Sequence, residues 1–384
     1  MANKAIKYRL YPAKKQAVLL AKTFGCCRYI YNKGLEWRKA AYDADGTSLR
    51  YRDTAYALTA VKRSTPWLRE VDSVALQQSL RHLDDAYQAF FAGKGDFPRF
   101  KSKRKVRASY TTMCQYPKNG RPTVRVDKQQ IHLPVVGDVR AVIHRTADAF
   151  WKLKSATVSM DSAGCFYCSV LYEYDAATPD IRLNTEHALG LDYKSDGLYV
   201  DSEGHCADVP KRFREMQPRI AHEQKELSRK KGFRKGEAKS NNFKKQQLKV
   251  NKYYRKAANR RLDKLHKLST EIANQYDVVC IEDLDMKAMS NKGFGNGKAT
   301  MDNGWGIFVR LLEYKLEDRG KVLIRVDKWF PSSQLCQCGY KNPVTKDCRV
   351  RTIVCPVCGS TYDRDFNAAL NIKKEGLRIL RSAS

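Results

Sequence analysis

The stretch CPVCGSTYDRDFNAALNI, residues Cys355 to Ile372, decides how the rest of the chain is read. A C-x-x-C pair with thiolate-knuckle spacing runs into two aspartates, Asp363 and Asp365, and then into a helix-like segment. The partner of the knuckle is CQCG at 336–339, a C-x-C arm one residue shorter. Thiolate zinc sites take four ligands in tetrahedral geometry. The expected set is therefore Cys336, Cys338, Cys355 and Cys358 around one structural Zn2+, with Cys348 as a substitute if the short arm cannot chelate through both sulfurs. A redox pair is the competing use of such cysteines. The acids beside the knuckle raise a second question, because a phosphodiester-cleaving metal site draws carboxylates from several elements of a fold.

Two apolar runs supply candidate partners. ALGLDY (188–193) reads as a buried strand ending in an acid, with GLYVDSEGH as the return of a hairpin, and YDVVCIEDLD (276–285) reads as a second buried strand. A carboxylate at the end of a buried strand is costly unless it binds a metal or is hydrogen-bonded. Asp192 and Glu282 are the candidates, with Asp283 and Asp285 as neighbours easily mistaken for Glu282. KVLIRVD (321–327) reads as a third strand and Trp305 to Leu316 as a helix. Asp192, Glu282 and Asp365 together can hold two divalent cations about 4 Å apart, one activating water and the other stabilising a leaving 3′ oxygen. The sequence GNGKAT resembles a phosphate loop but fails, since the required glycine five positions before Gly297 is Lys292.

The chain carries 72 Lys and Arg against 41 Asp and Glu, a formal charge of +31, which makes a polyanion the default partner. Residues 211–267 hold 21 Lys and Arg against 5 Asp and Glu, and their later half keeps a helical period through Leu262, Leu265, Leu268 and Ile272, so a basic helical arm is expected. Lys230 and Lys231 in that arm are candidate nucleic-acid contacts. No run reaches eighteen apolar residues and MANKAIKYRL lacks a signal-peptide core, so a cytoplasmic protein without membrane contact is expected. Five of the twelve cysteines crowd between 336 and 358. Cys26, Cys27, Cys114, Cys206 and Cys280 read as small buried hydrophobes. Cys165 and Cys168 lie in a strand-like stretch, where residues three apart face opposite ways.

Toward the beginning, Ile6, Tyr8 and Leu10 alternate as a strand up to Pro12. Helical patterns follow, one to Gly25 and one from Cys27, and the clearest helix runs from a cap at Asp72 or Ser73 through Leu76, Leu80, Leu83, Tyr87 and Phe91. Its polar side holds Gln77 and Arg81, either a solvated face or a nucleic-acid contact. FPRFKSKRKVRASYT (97–111) interleaves aromatics with Lys101, Lys103, Arg104, Lys105 and Arg107, a pattern suited to base stacking and phosphate neutralisation, or to a solvated loop. Short alternating runs between 122 and 174 suggest a small barrel or sandwich, with the helical module inserted after its first strand.

The ordered blocks GLDYKSDGLYVDSEG, IEDLDMKAM, WGIFVRLLEYK, FPSSQLCQCGYKN and CPVCGSTYDRDFNAALNI, with YRLYPAKKQ and GCCRYIYNKGL near the start, resemble the TnpB proteins of bacterial and archaeal insertion sequences, relatives of compact type V CRISPR effectors. The resemblance spans nearly the whole chain. It implies a multidomain α/β protein with an RNase H-like RuvC nuclease domain carrying a zinc-ribbon insertion, plus a small β-barrel (wedge) domain with a helical recognition insert. On that plan residues 1–12 give the first barrel strand, 13–121 the recognition insert and 122–180 the wedge barrel. Residues 181–327 give the first nuclease part with its basic arm at 211–275, 328–361 the zinc ribbon and 362–384 the second nuclease part.

The likeness further implies a guide RNA from the transposon end and cleavage of matching double-stranded DNA beside a short adjacent motif. No obligate protein partner is expected. The family's catalytic, Mg2+-binding acids fall on Asp192, Glu282 and Asp365, with Asp363 the other acid of the D-x-D pattern. Two features depart from the family: the glycine often found soon after the first aspartate is missing, and the first cysteine arm is short. An RNA-guided DNA-binding repressor is the alternative, although such relatives are expected to lose acids that this chain keeps. A strand-joining transposase would need a nucleophilic tyrosine or a His-x-His pair.

Overall fold

Strand β1 (Ala2–Tyr11) buries Ile6, Tyr8 and Leu10 on one face, as period-two alternation requires. It belongs to the first of two units, Met1–Ala176 and Ala177–Ser384. The structure, a computed structural model, describes residues 2–103, 106–118, 120–175, 183–207, 212–232, 237–290, 302–346 and 350–383.

In the first unit β1 lies inside a seven-stranded antiparallel sheet with β2 (Ala108–Met113), β3 (Arg125–Val126), β4 (Gln130–Leu133), β5 (Gly137–Val142), β6 (Lys152–Met160) and β7 (Phe166–Tyr174). The order is β2-β6-β7-β1-β5-β4-β3. Laid flat, six inter-strand steps would separate β2 from β3 by about 29 Å. Yet Thr123 N–H, just before β3, donates to Gln115 O, just after β2, at 3.0 Å. The sheet therefore curls until its ends meet. Strand β2 is not evident in the sequence, because its cationic neighbourhood hides the alternation. Tyr110 and Thr112 nevertheless point inward, and Ala108 to Met113 pair with β6.

Three helices separate β1 from β2 in sequence: α1 (Lys14–Asp45), α2 (Tyr51–Ser64) and α3 (Ser73–Phe91). The sequence suggests a break at Gly25, but α1 is continuous there. A glycine inside a helix costs about 1 kcal/mol relative to alanine. Burial of Leu20, Phe24, Ile30 and Leu35 on one side, worth about 1.5–3 kcal/mol each, outweighs it. Helix α3 is capped by Asp72, whose carboxylate accepts from Val74 N at 2.9 Å.

The second unit is built on a five-stranded sheet of β8 (Ala188–Tyr193), β9 (Tyr199–Asp201), β10 (Cys206–Ala207), β11 (Val278–Glu282) and β12 (Val322–Val326). The order is β10-β9-β8-β11-β12, with β8, β9 and β10 an antiparallel meander and β11 parallel to both neighbours. Between β10 and β11 the basic arm forms two packed helices, α4 (Arg212–Arg229) and α5 (Asn241–Gln275), and α6 (Trp305–Glu317) follows β11. Met216, Ile220 and Ala257 make a small core within the arm. Farther along α5, Leu265 and Ile272 join Phe308, Leu312 and Leu316 of α6 on one face of the sheet, against Leu189, Leu191, Val279 and Ile281.

The other face is covered by α7 (Arg364–Ala383), through Ile372 over Ala188, Val278 and Cys280. Two glycines let it lie this close. A Cβ on Gly190 would fall 2.1 Å from Ala369 O, and one on Gly376 would fall 2.3 Å from Cys280 Sγ. The remaining strands, β13 (Thr352–Val354) and β14 (Thr361–Asp363), form a hairpin that leads into α7. No helix among the described residues is long and apolar enough to cross a membrane.

Candidate active site

Asp192 and Glu282 occupy equivalent places on neighbouring strands. The parallel ladder pairs Leu191 with Ile281, so the next residue on each strand is an acid. Alternation turns both acids away from the face of Leu191 and Ile281 and onto the face covered by α7. That helix begins beside them, with Asp365 in its first turn. The three carboxylates line one cleft of about 530 Å3 together with Ser332, Trp329, Arg351 and Arg364. The larger cavity of the first unit, about 770 Å3, brings aromatics such as Tyr87, Phe90, Phe91 and Phe97 together with two acids, Asp43 and Asp84, and Asp84 is already paired with Arg38. Chemistry that needs converging charge therefore belongs to the smaller cleft.

The electrostatics are those of crowded acids. Burial, followed by the Glu282 and Asp365 carboxylates, holds the Asp192 carboxyl well above its ordinary range, against the opposing pull of Arg364 and Arg351. Burial also raises Glu282, which is partly relieved by a hydrogen bond donated by the Ser332 hydroxyl. Asp365 forms an ion pair with Arg351 at 2.6 Å. Such a set fits a divalent cation, which would neutralise the carboxylates that now repel one another. Asp363 is used differently, since its carboxylate accepts from Phe366 N at 2.9 Å and caps α7. Asp283 faces Arg325 at 3.5 Å, and Asp285 accepts from Ala288 N.

Beyond the cleft, the four expected cysteines converge. The sulfurs of Cys336, Cys338, Cys355 and Cys358 lie within 4.8 Å of one another, with Cys336 to Cys358 at 3.6 Å and Cys338 to Cys355 at 3.7 Å. Tetrahedral Zn2+ with 2.3 Å bonds needs sulfurs about 3.8 Å apart, so the C-x-C arm reaches with both thiols and the cluster is able to bind zinc. Hydrogen bonding from Ser360 and neighbouring thiols overcomes burial and draws Cys336 down to about 6. A backbone hydrogen bond at Tyr340 pulls Cys338 down, but partial desolvation and the hydrogen-bonded thiols of Cys336, Cys358 and Cys355 together push it up to about 12. Cys348 lies outside the described residues.

The other cysteines divide. Burial pushes the thiols of Cys27, Cys168 and Cys280 up to about 12, and Cys26 and Cys165 are buried too. Cys206 is exposed and Cys114 only half-buried, contrary to expectation, because Cys206 sits on the short edge strand β10 and Cys114 just past the end of β2.

The candidate nucleic-acid contacts also divide. Gln77, Lys103, Lys230 and Lys231 are exposed. Arg81 is exposed but lays its guanidinium over Tyr51, 4.3 Å from the ring centroid. Lys101 turns inward, its ammonium 3.5 Å from the Tyr31 centroid, and burial lowers its pKa. Arg104 and Lys105 lie outside the described residues. Sequence reasoning missed Ser332, Arg351, Arg364 and Trp329. The last is 80% exposed at the rim of the cleft, and all but Arg364, at the start of α7, lie outside regular elements where no periodicity marks them.

Fold and site together define a class: an α/β protein in which three carboxylates at strand and helix ends share a unit with a four-thiolate centre. Three family models match the chain, described as "Helix-turn-helix domain" (residues 1–47), "Probable transposase" (169–292) and "Cas12f1-like, TNB domain" (305–372). A Streptomyces pristinaespiralis protein named "Putative RNA-guided DNA endonuclease" is 38% identical over 383 residues, 98% of this chain and 90% of that protein. The Escherichia coli K12 protein InsQ, which bears the same description, is 30% identical over 98% of this chain and 93% of its own length. Among solved structures, the chain of a Cas12f1-sgRNA-target DNA complex superposes with a TM-score of 0.52 at 12% identity, covering 97% of this chain and 98% of that one. The chain belongs to the TnpB family, the OrfB proteins of IS605-type elements. The first model's description does not fit the geometry, since residues 1–47 hold one strand and one unbroken helix.

Proposed function

We propose that the protein is an RNA-guided, divalent-metal-dependent DNA endonuclease that hydrolyses guide-matched double-stranded DNA beside a short adjacent motif through a RuvC-type, RNase H-like site. The observation that carries this reading is the register of β8 and β11, which sets Asp192 beside Glu282 under the helix that bears Asp365. The names of the relatives and the fold likeness to Cas12f1 in its complex with sgRNA and target DNA support it. In such systems base pairing reads sequence, and the protein reads duplex shape and the adjacent motif.

Asp192, Glu282 and Asp365 would hold Mg2+, probed as two ions in the test below. Bound there, the ions supply an activated water and charge stabilisation for the leaving 3′ oxygen. The protein's own groups do the rest. Ser332 fixes one oxygen of Glu282, and Arg351 holds Asp365 toward the cleft until a cation competes for it. Trp329 offers an exposed ring at the rim where a base can stack. The four cysteines would hold a structural Zn2+, which would brace the hairpin leading into α7. The cationic arm and the exposed lysines neutralise the phosphates of guide and target.

The test begins with the RNA that copurifies with the full chain. Its sequence supplies the guide, and the complex is then offered matched and mismatched duplexes. Asp192→Ala is expected to abolish cleavage and keep guided binding, and isothermal titration should find two Mg2+ sites in wild type. Retained cutting by the purified variant would sink the site assignment. Specific cleavage by a nucleic-acid-free preparation would defeat guidance.

A further inference from the structure

The two cysteine arms treat their intervening residues differently. In the longer arm Pro356 and Val357 are exposed. In the shorter arm the single residue, Gln337, is exposed as well, but its amide N–H group donates to Asn367 Oδ1 at 2.8 Å and Asn371 Oδ1 at 3.0 Å. These asparagines are four residues apart on one face of α7 and are almost sealed, 1% and 5% exposed. Their own amide N–H groups are spent on the chain that follows β12. Asn371 donates to Ser332 O at 2.8 Å and Leu335 O at 2.7 Å, and Asn367 donates to Leu335 O at 2.6 Å. Ser332, itself buried, donates its hydroxyl to Glu282.

The donors and acceptors alternate so that each amide has one workable orientation. Asparagine is a poor residue for the middle of a helix, and buried amides cost free energy unless fully bonded. Apolar side chains would cover the sheet at lower cost. What the amides provide is a fixed path from the thiolate centre to a carboxylate of the cleft.

We propose that Gln337, Asn371 and Ser332 act as positioning residues, forming a polar strap through which the thiolate centre holds the Glu282 carboxylate in the orientation a divalent cation needs. The inference rests on the reading of Asp192, Glu282 and Asp365 as a metal-binding set. A partner one step removed from a metal, as Ser332 is through Glu282, changes affinity by about 10–100-fold when removed. The missing residue of the C-x-C arm has a use on this view. It leaves one side chain between the ligands and aims it at α7.

The experiment measures Mn2+ binding to the full-length, zinc-loaded, nucleic-acid-free protein by electron paramagnetic resonance of the free ion, with zinc content and melting temperature recorded for every variant. Asp192→Ala defines the binding that belongs to the cleft. Ser332→Ala and Gln337→Leu are each expected to weaken that binding about ten-fold with zinc retained, and the double variant to be no weaker than Ser332→Ala alone. Ser332→Thr, which keeps the hydroxyl, should restore affinity to within about two-fold of wild type, on the same scale of effects. Wild-type affinity in both single variants would overturn the strap while leaving the acids in place, as would fully additive losses or loss of zinc from Gln337→Leu. Equal Mn2+ binding by wild type and Asp192→Ala would overturn the metal reading itself, and the strap with it. If Ser332→Ala fails to fold, Gln337→Leu decides for or against the strap from its opposite end.

Discussion

Replacing Asp192 by asparagine should make the metal-free protein more stable and inactive at once. Burial first, then Glu282 and Asp365, raise the Asp192 carboxyl above its ordinary value. Its folded pKa thus exceeds its unfolded one, so folding is favoured while the group is protonated, and stability is lost as pH climbs from the unfolded pKa through the folded one. Side chains in register on adjacent strands stand about 5 Å apart. At an effective dielectric of about 20, one carboxylate pair then costs about 3 kcal/mol. Allowing for relaxation and for Arg351 and Arg364, Asp192→Asn should gain about 1–3 kcal/mol at pH 8. That corresponds to about 2–4 °C of melting temperature per kcal/mol for a unit of this size. Near pH 4 and below, where the wild-type carboxyl is neutral, the two proteins should melt together. The assay is thermal melting of zinc-loaded protein without added divalent cation at the two pH values, paired with duplex cleavage in Mg2+. A gain that persists unchanged at low pH, or a loss at pH 8, would refute the reasoning about crowded acids.

Four further substitutions probe other parts of the chain. Gly190→Ala should destabilise the second unit by about 3 kcal/mol or more, beyond ordinary overpacking, since its Cβ would meet Ala369 O at 2.1 Å; an unchanged urea midpoint would show that α7 does not dock this closely. Cys355→Ser should lose its zinc by elemental analysis, and unchanged metal content would move the ligands elsewhere. Lys103→Ala should lower the salt slope of RNA binding by about 0.7, whereas Lys101→Met, removing an ammonium already seated on Tyr31, should leave the slope unchanged and lower the melting temperature instead. Equal slopes for both variants would contradict this division.

The acids were legible in the sequence for a physical reason. Parallel strands buried on both faces read as short apolar runs, and an acid that ends such a run stands out, as in ALGLDY and VVCIED. The cysteine set was legible because chelation fixes ligand spacing. Ser332 and Arg351 were not, because they sit on irregular chain whose course is set by packing against α7 and the β13–β14 hairpin. Strand β2 was hidden by the cations around it. Gly25 marks a break only by local propensity, which tertiary burial along α1 overrides, and Lys101 turns inward because its apolar stem can pack while its ammonium finds the Tyr31 ring.

The close packing of α7 on Gly190 and Cys280 also imposes a sequence of events during synthesis. The cleft needs Asp365, which is made 173 positions after Asp192. At about 5–20 residues per second, a ribosome takes about 9–35 s to cover that distance. For the last 90 of those positions, from 275 to 365, the cationic arm has already been made while the third acid has not. On the function proposed above, the order of translation would give every molecule its RNA-binding arm before its complete set of acids, separating loading from arming.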